Sequence, residues 1–335
     1  MCSLERDVLS SGRVLVTGGA GFIGSTLIRR LVPLCEKVIV FDNFVSGSRK
    51  NLEGFEQKVD IVEGDICDQS FHEILDQQRV AFLFHLAAHP FIPSCYDEPL
   101  KFFNVNSLGT MNVLLAAKRA RVKRIVLFST SEVYGTAQYV PMDENHPLDP
   151  SSTYAVSKCA ADRLAQTFFY EHNLPLTIVR QFNCYGPRET HPYIIPEIIS
   201  QLSKSRVIEL GNTAARRDFT YVDDAADAAI SIAACKEAIG EVFNVGSGND
   251  ISIMELAHLI GELMGVDDVE IQRDPIRLRP KDVERLYCDA SKVSRLTGWM
   301  PKMRLREGLE HTIDWYKKNS FEWPYHSNPS YAKCS

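Results

Sequence analysis

A tyrosine and a lysine four positions apart, Tyr154 and Lys158, follow the segment Ser129-Thr130-Ser131-Glu132 by about twenty residues. Spaced i and i+4, they share one face of a helix, so an ammonium can sit beside a phenol. The cation favours phenolate, so it is expected to lower the Tyr154 pKa towards neutrality and make a general base for a hydroxyl. Thr130 could supply a hydrogen bond to the same oxygen, and Glu132 a second, carboxylate base. Ser151-Ser152-Thr153 offers a helix cap immediately before the pair.

Chemistry on a hydroxyl needs a redox or phosphate partner, and the N-terminal region predicts one. Val14-Leu-Val-Thr reads as a buried strand, followed by Gly18-Gly-Ala-Gly21-Phe22-Ile23-Gly24, where glycines turn the chain into a helix beginning near Phe22. Such a turn lets backbone N–H groups approach a pyrophosphate at a helix N-terminus. The spacing is Gly-x-x-Gly-x-x-Gly, so the Gly-x-Gly-x-x-Gly expression is not strictly met. A second strand, Val38–Phe41, ends in Asp42-Asn43, which places an acid where adenosine ribose hydroxyls are expected. A carboxylate there disfavours a 2′-phosphate, so the expected cofactor is NAD.

Apolar strand candidates at 13–17, 37–41, 59–62, 80–86 and 124–130, then Leu176–Arg180, alternate with helical segments. That rhythm predicts an α/β fold, a doubly wound parallel sheet of Rossmann type with helices on both faces. Ligands of such sheets bind at the carboxyl ends of strands. Thr17, Asp42, Asp65, Ala87 and Ser129 to Glu132 all fall at such ends. After Asn183 prolines break the rhythm. The expected division is a dinucleotide-binding domain over 10–183, with 216–248 returning to it, and a smaller substrate-binding portion over 184–215 and 249–320. The tail from Ser320 to Pro329 reads as a disordered end or a surface arm.

Bulk properties exclude several function classes. At 335 residues with 45% hydrophobic and 24% charged content, the chain is an ordinary globular protein of ample core. A net charge of −6, with no basic run, argues against nucleic-acid binding. No apolar stretch is long enough for a membrane helix, and the first residues lack the order of a secretory signal. Nine scattered cysteines without zinc spacing predict free thiols, no metal site and a reducing, cytoplasmic setting. His85 and His89 read as structural histidines, and Cys95, Cys159 and Cys184 as packing residues.

Together these segments resemble the extended short-chain dehydrogenase/reductase family, the nucleotide-sugar epimerases and dehydratases, from about Arg13 to about Tyr316. The resemblance includes Asp65-Ile66, His85-Leu86-Ala87-Ala88, Asn106 in Asn-Ser-Leu-Gly-Thr110, Asn183-Cys-Tyr-Gly-Pro187 and Arg217-Asp-Phe-Thr-Tyr-Val-Asp-Asp224. It implies cofactor contacts at Asp65, Ile66, Leu86, Ala87, Ala88, Asn106, Ser129, Tyr154 and Lys158. It also implies a nucleotide-diphosphate sugar substrate held by Asn183, Arg217 and Arg279, with Arg216 an equally placed alternative to Arg217.

Thr130-Ser131-Glu132 is similar to the catalytic series of the 4,6-dehydratases, where the glutamate removes the C5 proton of a 4-keto sugar. Many glucose-type members carry Asp where Ser131 stands, and a neutral serine is a poorer acid. A 4-epimerase needs no such carboxylate and is the alternative. A nucleotide-glucuronate decarboxylase is less favoured, because Asp-Pro-Ser-Ser-Thr precedes Tyr154 in place of an arginine-containing context. A catalytically idle NAD-binding member stands as the non-enzyme reading. The family also implies a homodimer joined through helices near 97–119 and 151–172.

Overall fold

A computed structural model describes residues 12–321. The first residues and all but the start of the 320–329 tail lie outside that range. Seven parallel strands form the main sheet: β1 (Arg13–Thr17), β2 (Lys37–Asp42), β3 (Val59–Glu63), β4 (Val80–His85), β5 (Arg124–Thr130), β6 (Leu176–Gln181) and, after an excursion, β10 (Val242–Val245). Their order is β10-β6-β5-β4-β1-β2-β3. The expected doubly wound α/β sheet is present.

Alternation along each strand explains the two helical layers. Val14 and Val16 face one core, with Val38, Val40, Val126 and Phe128. Leu15 faces the other, with Ile39, Phe41, Ile125 and Leu127. Both faces of every central strand are therefore apolar, which only a sheet covered on both sides satisfies. Helices Phe22–Leu31 and Val222–Ala234 cover the first face. Helices Ser70–Gln78, Thr110–Arg119 and Thr153–His172 cover the second.

Beyond β6 the chain builds smaller sheets from β7 (Asn183–Tyr185), β8 (Val207–Leu210), β9 (Arg216–Tyr221), β11 (Asp250–Ser252), β12 (Glu270–Arg273) and β13 (Arg285–Leu286). β9 is central, paired with β7, β11 and β13, while β12 pairs with β8. A separate core forms there from Ile195, Ile198, Ile199, Phe219, Leu256, Ile260, Leu309 and Ile313. Residues 216–221 thus lie in the second lobe, and the chain re-enters the main sheet only through the helix at Val222 and β10. Conversely, Val293 and Trp299 pack against the main core.

Candidate active site

The carboxyl end of β5 carries the reactive segment. Thr130 is extended, and its Oγ1 accepts from Glu132 N at 3.2 Å, which turns the chain into the tight helical turn Ser131–Tyr134. Gly135 ends that turn at φ 65°, where a Cβ would fall 2.2 Å from Asp149 O. Ser131 and Glu132 are both buried there. The Tyr154 and Lys158 helix starts where Ser152 Oγ accepts from Ala155 N at 3.1 Å, the cap expected from sequence. Arg180 on β6 clamps this helix to the sheet through a two-pronged pair with Asp162, at 2.9 and 3.0 Å. The clamp fixes the height of Tyr154 and Lys158 above the strand ends.

A cavity of about 950 Å³ runs across those ends beneath the second lobe. That is the upper end of the range for ligand sites, room for two extended ligands side by side. Its wall contains Gly18, Gly21, Phe22, Ile23, Gly24, Asp42, Asn43, Asp65, Ile66, Leu86, Ala87 and Ala88 on one side. Ser129, Thr130, Ser131, Glu132, Tyr154 and Lys158 follow, then Asn183, Arg217 and Arg279. Among the described residues, no cluster of metal-ligating side chains is present.

The glycine turn is a backbone cradle. A Cβ on Gly24 would sit 2.1 Å from Gly18 O, and one on Gly18 2.8 Å from Ala87 N. Only glycine lets the turn close and leaves the helix N-terminus bare towards the cavity. Asp42 takes Ala20 N on one oxygen at 2.9 Å and Phe44 N on the other at 2.8 Å. Lone pairs remain on both oxygens for vicinal hydroxyls. Burial pushes the Asp42 carboxyl up, while those two N–H groups pull it down. Asn43 Nδ2 donates to Asp65 Oδ2 at 2.9 Å, tying the ends of β2 and β3 together. This set fits an extended dinucleotide.

Three expectations are corrected. Asn106 is fully buried, but its amide is spent on His89 N, His89 O and Ser157 Oγ, and it does not reach the cavity wall. It braces the 86–89 loop that lines the cavity. Lys158 Nζ donates to Phe128 O at 2.6 Å, and burial pulls its pKa down to about 8. The Tyr154 phenol is pushed up, by burial first, against a favourable hydrogen bond with Thr130; Glu132 pushes it further. The expected lowering by Lys158 is therefore absent, since the ammonium is engaged by a backbone carbonyl. Thirdly, Arg216 turns outward to Asp250 and Glu255, leaving Arg217 as the cavity arginine.

Glu132 is only 7% exposed and meets Arg279 Nη1 at 3.6 Å. Buried Arg217 lies close enough for the Glu132 charge to raise its pKa against the lowering by burial, and it also reaches Asp282 at 3.5 Å. His85 accepts a structural role, with Nδ1 2.7 Å from Thr17 Oγ1, Nε2 3.0 Å from Thr110 Oγ1 and a pKa pulled to about 3 by burial. The seven described cysteines are all free thiols.

Sequence reasoning passed over Gln181, Glu189 and His191, which also line the cavity. Burial raises the Glu189 carboxyl well above its usual range and pulls His191 to about 3. Gln181 ends β6, so the strand-end rule that located Thr17 and Ser129 would have found it. Glu189 and His191 sit in a proline-broken loop with no local signal.

A family model described as GDP-mannose 4,6 dehydratase matches residues 15–312. The chain belongs to that family. It is 34% identical over 322 residues to the dTDP-D-glucose 4,6-dehydratase of Homo sapiens, covering 93% of this chain and 91% of the relative. Among solved structures, DesIV, the dTDP-glucose 4,6-dehydratase of Streptomyces venezuelae with NAD and TYD bound, has a TM-score of 0.87 at 31% identity, covering 93% of this chain and 99% of that one. The UDP-glucose 4-epimerase of Thermotoga maritima, solved with UDP-glucose, has a TM-score of 0.86 at 30% identity, covering 92% and 99%. Membership makes the chain one of the nucleotide-sugar dehydratase and epimerase family of enzymes, without resolving its specific activity. No helix among the described residues is long and apolar enough to cross a membrane.

Proposed function

We propose that the protein is an NAD-dependent nucleotide-sugar 4,6-dehydratase. The observation that carries this reading is Glu132, a buried carboxylate in the cavity wall beside the Thr130–Tyr154 hydrogen bond. A 4-epimerase has no proton for such a group to move. Gly18 to Gly24 and Asp42 would hold the NAD, and the sugar nucleotide would lie beneath the second lobe, against Asn183, Arg217 and Arg279. Bound NAD would supply the hydride acceptor for sugar C4 and the hydride donor for C6.

The residues supply the proton chemistry. Tyr154 takes the C4 hydroxyl proton, and Thr130 steadies the oxygen by a hydrogen bond. The resulting 4-ketone acidifies C5–H, and Glu132 removes that proton. The C6 hydroxyl leaves as water with the proton Glu132 took from C5, Ser131 hydrogen-bonding to the departing oxygen. Glu132 then relays a solvent proton back to C5 as C6 accepts hydride. Lys158, anchored on Phe128 O, keeps two further N–H donors for the nicotinamide ribose. Arg217, Arg279 and Asn183 hold the diphosphate, the arginines by forked hydrogen bonds.

Incubation with a panel of UDP-, GDP-, dTDP- and CDP-hexoses, read by mass and NMR, tests this reading. Loss of one water with a 4-keto-6-deoxy product is expected. A product of unchanged mass establishes the epimerase instead, and loss of carbon dioxide the decarboxylase.

We also propose a homodimer, packed through the helical region 99–119 and helix 153–172. Leu100, Leu108, Leu115 and Val156 there are exposed apolar side chains. Leu108→Glu is expected to halve the mass in sedimentation equilibrium. An unchanged mass refutes that face as the interface.

A further inference from the structure

Gln181 Oε1 is a buried acceptor in the cavity wall with no hydrogen-bond partner among the described residues and no place in the proton chemistry. The Gln181 amide is held firmly. Its Nε2 donates to Phe182 O at 3.1 Å and to Val245 O at 3.2 Å. Two carbonyls can only accept, so the amide orientation is decided by its partners and Oε1 must be the unpaired end. A buried acceptor left alone costs free energy comparable to a lost hydrogen bond, so a ligand donor is its expected partner.

Position identifies that donor. Gln181 is paired in register with Thr130, one strand beyond the Thr130–Tyr154 hydrogen bond. Asp42 ends β2, and four strand-to-strand steps separate β2 from β6, or roughly 19 Å at the usual spacing. A dinucleotide anchored by its adenosine ribose at Asp42, and by its pyrophosphate at the Gly21 turn, therefore reaches β5 and β6 with its nicotinamide end. The terminal carboxamide of that ring carries an NH₂ with two hydrogens to donate.

We propose that Gln181 is a positioning residue for the cofactor, its Oε1 accepting from the nicotinamide carboxamide NH₂. The inference rests on NAD being the bound dinucleotide. Its consequence is selectivity for the carboxamide, and a fixed orientation of the ring relative to Tyr154.

The test compares NAD with its 3-acetylpyridine analogue, in which a methyl group replaces the carboxamide NH₂. Affinities are measured by calorimetry on full-length enzyme freed of bound dinucleotide, with no turnover required. The wild type is expected to bind NAD about tenfold more tightly, the scale of one buried hydrogen bond. Gln181→Met is expected to bring that ratio close to one. Val245 O also accepts from Phe182 N, so the strand pairing survives the substitution. Equal affinity of the wild type for the two dinucleotides overturns the inference, as does a Gln181→Met ratio equal to that of wild type. Failure of the wild type to bind either one overturns the NAD reading itself.

Discussion

Replacing Glu132 with glutamine separates dehydration from epimerisation. The side chain keeps its shape and reach but cannot accept the C5 proton. Three effects contribute, and their sizes differ. Loss of the pair with Arg279, whose side chain is 31% exposed, is worth at most about 1 kcal/mol, or roughly fivefold. The Glu132 charge raises the Tyr154 pKa, so removing it makes the phenol a better acid and cannot slow the C4 step. Loss of a general base is worth about 10²–10⁴ in rate. A fall of more than about tenfold in dehydration therefore reports the proton transfer.

The assay runs wild type and Glu132→Gln in deuterium oxide and follows the sugar by NMR and mass. The wild type is expected to place deuterium at C5 of a 6-deoxy product. The variant should still oxidise C4, giving a 4-keto sugar with its C6 hydroxyl intact, trapped by borodeuteride reduction. Equal activity in the two proteins, with a C4 epimer and no label at C5, refutes the dehydratase reasoning.

Tyr154→Phe should keep the fold and dinucleotide affinity, because the ring still packs with Ile92, Cys95 and Phe102, while turnover drops by about 10²–10⁴; an undiminished rate shows the base is elsewhere. The Lys158 ammonium, with its pKa pulled down to about 8, is complete below that pH and lost above it. A kcat/KM profile is thus expected to fall on the alkaline side near pH 8, and Lys158→Met should remove that limb along with most activity. Gly24→Ala drives a methyl to 2.1 Å from Gly18 O and is expected to abolish NAD binding in calorimetry, with a fall in stability of about 1–3 kcal/mol in denaturant titration.

Local chemistry wrote much of this protein into the sequence. The apolar alternation of β1, β2 and β5, the glycines at 18, 21 and 24, Asp42 at a strand end and Ser152 as a cap all act over a few residues. Backbone sterics and side-chain period suffice to read them. The strand-end rule likewise located Ser129 to Glu132, which line the cavity.

Side-chain direction and burial were decided only by tertiary contacts. Arg216 and Arg217 are neighbours in one strand, and alternation sends them to opposite sides. Which side faces the cavity depends on β11 and β13 pairing with β9. Asn106 lost its expected role because His89 and Ser157, distant in sequence, take its hydrogen bonds. Lys158 turned to Phe128 O, and burial that no short segment encodes raised the Glu189 carboxyl. Charge state and hydrogen-bond partnership depend on everything packed around a group, so the fold settles them.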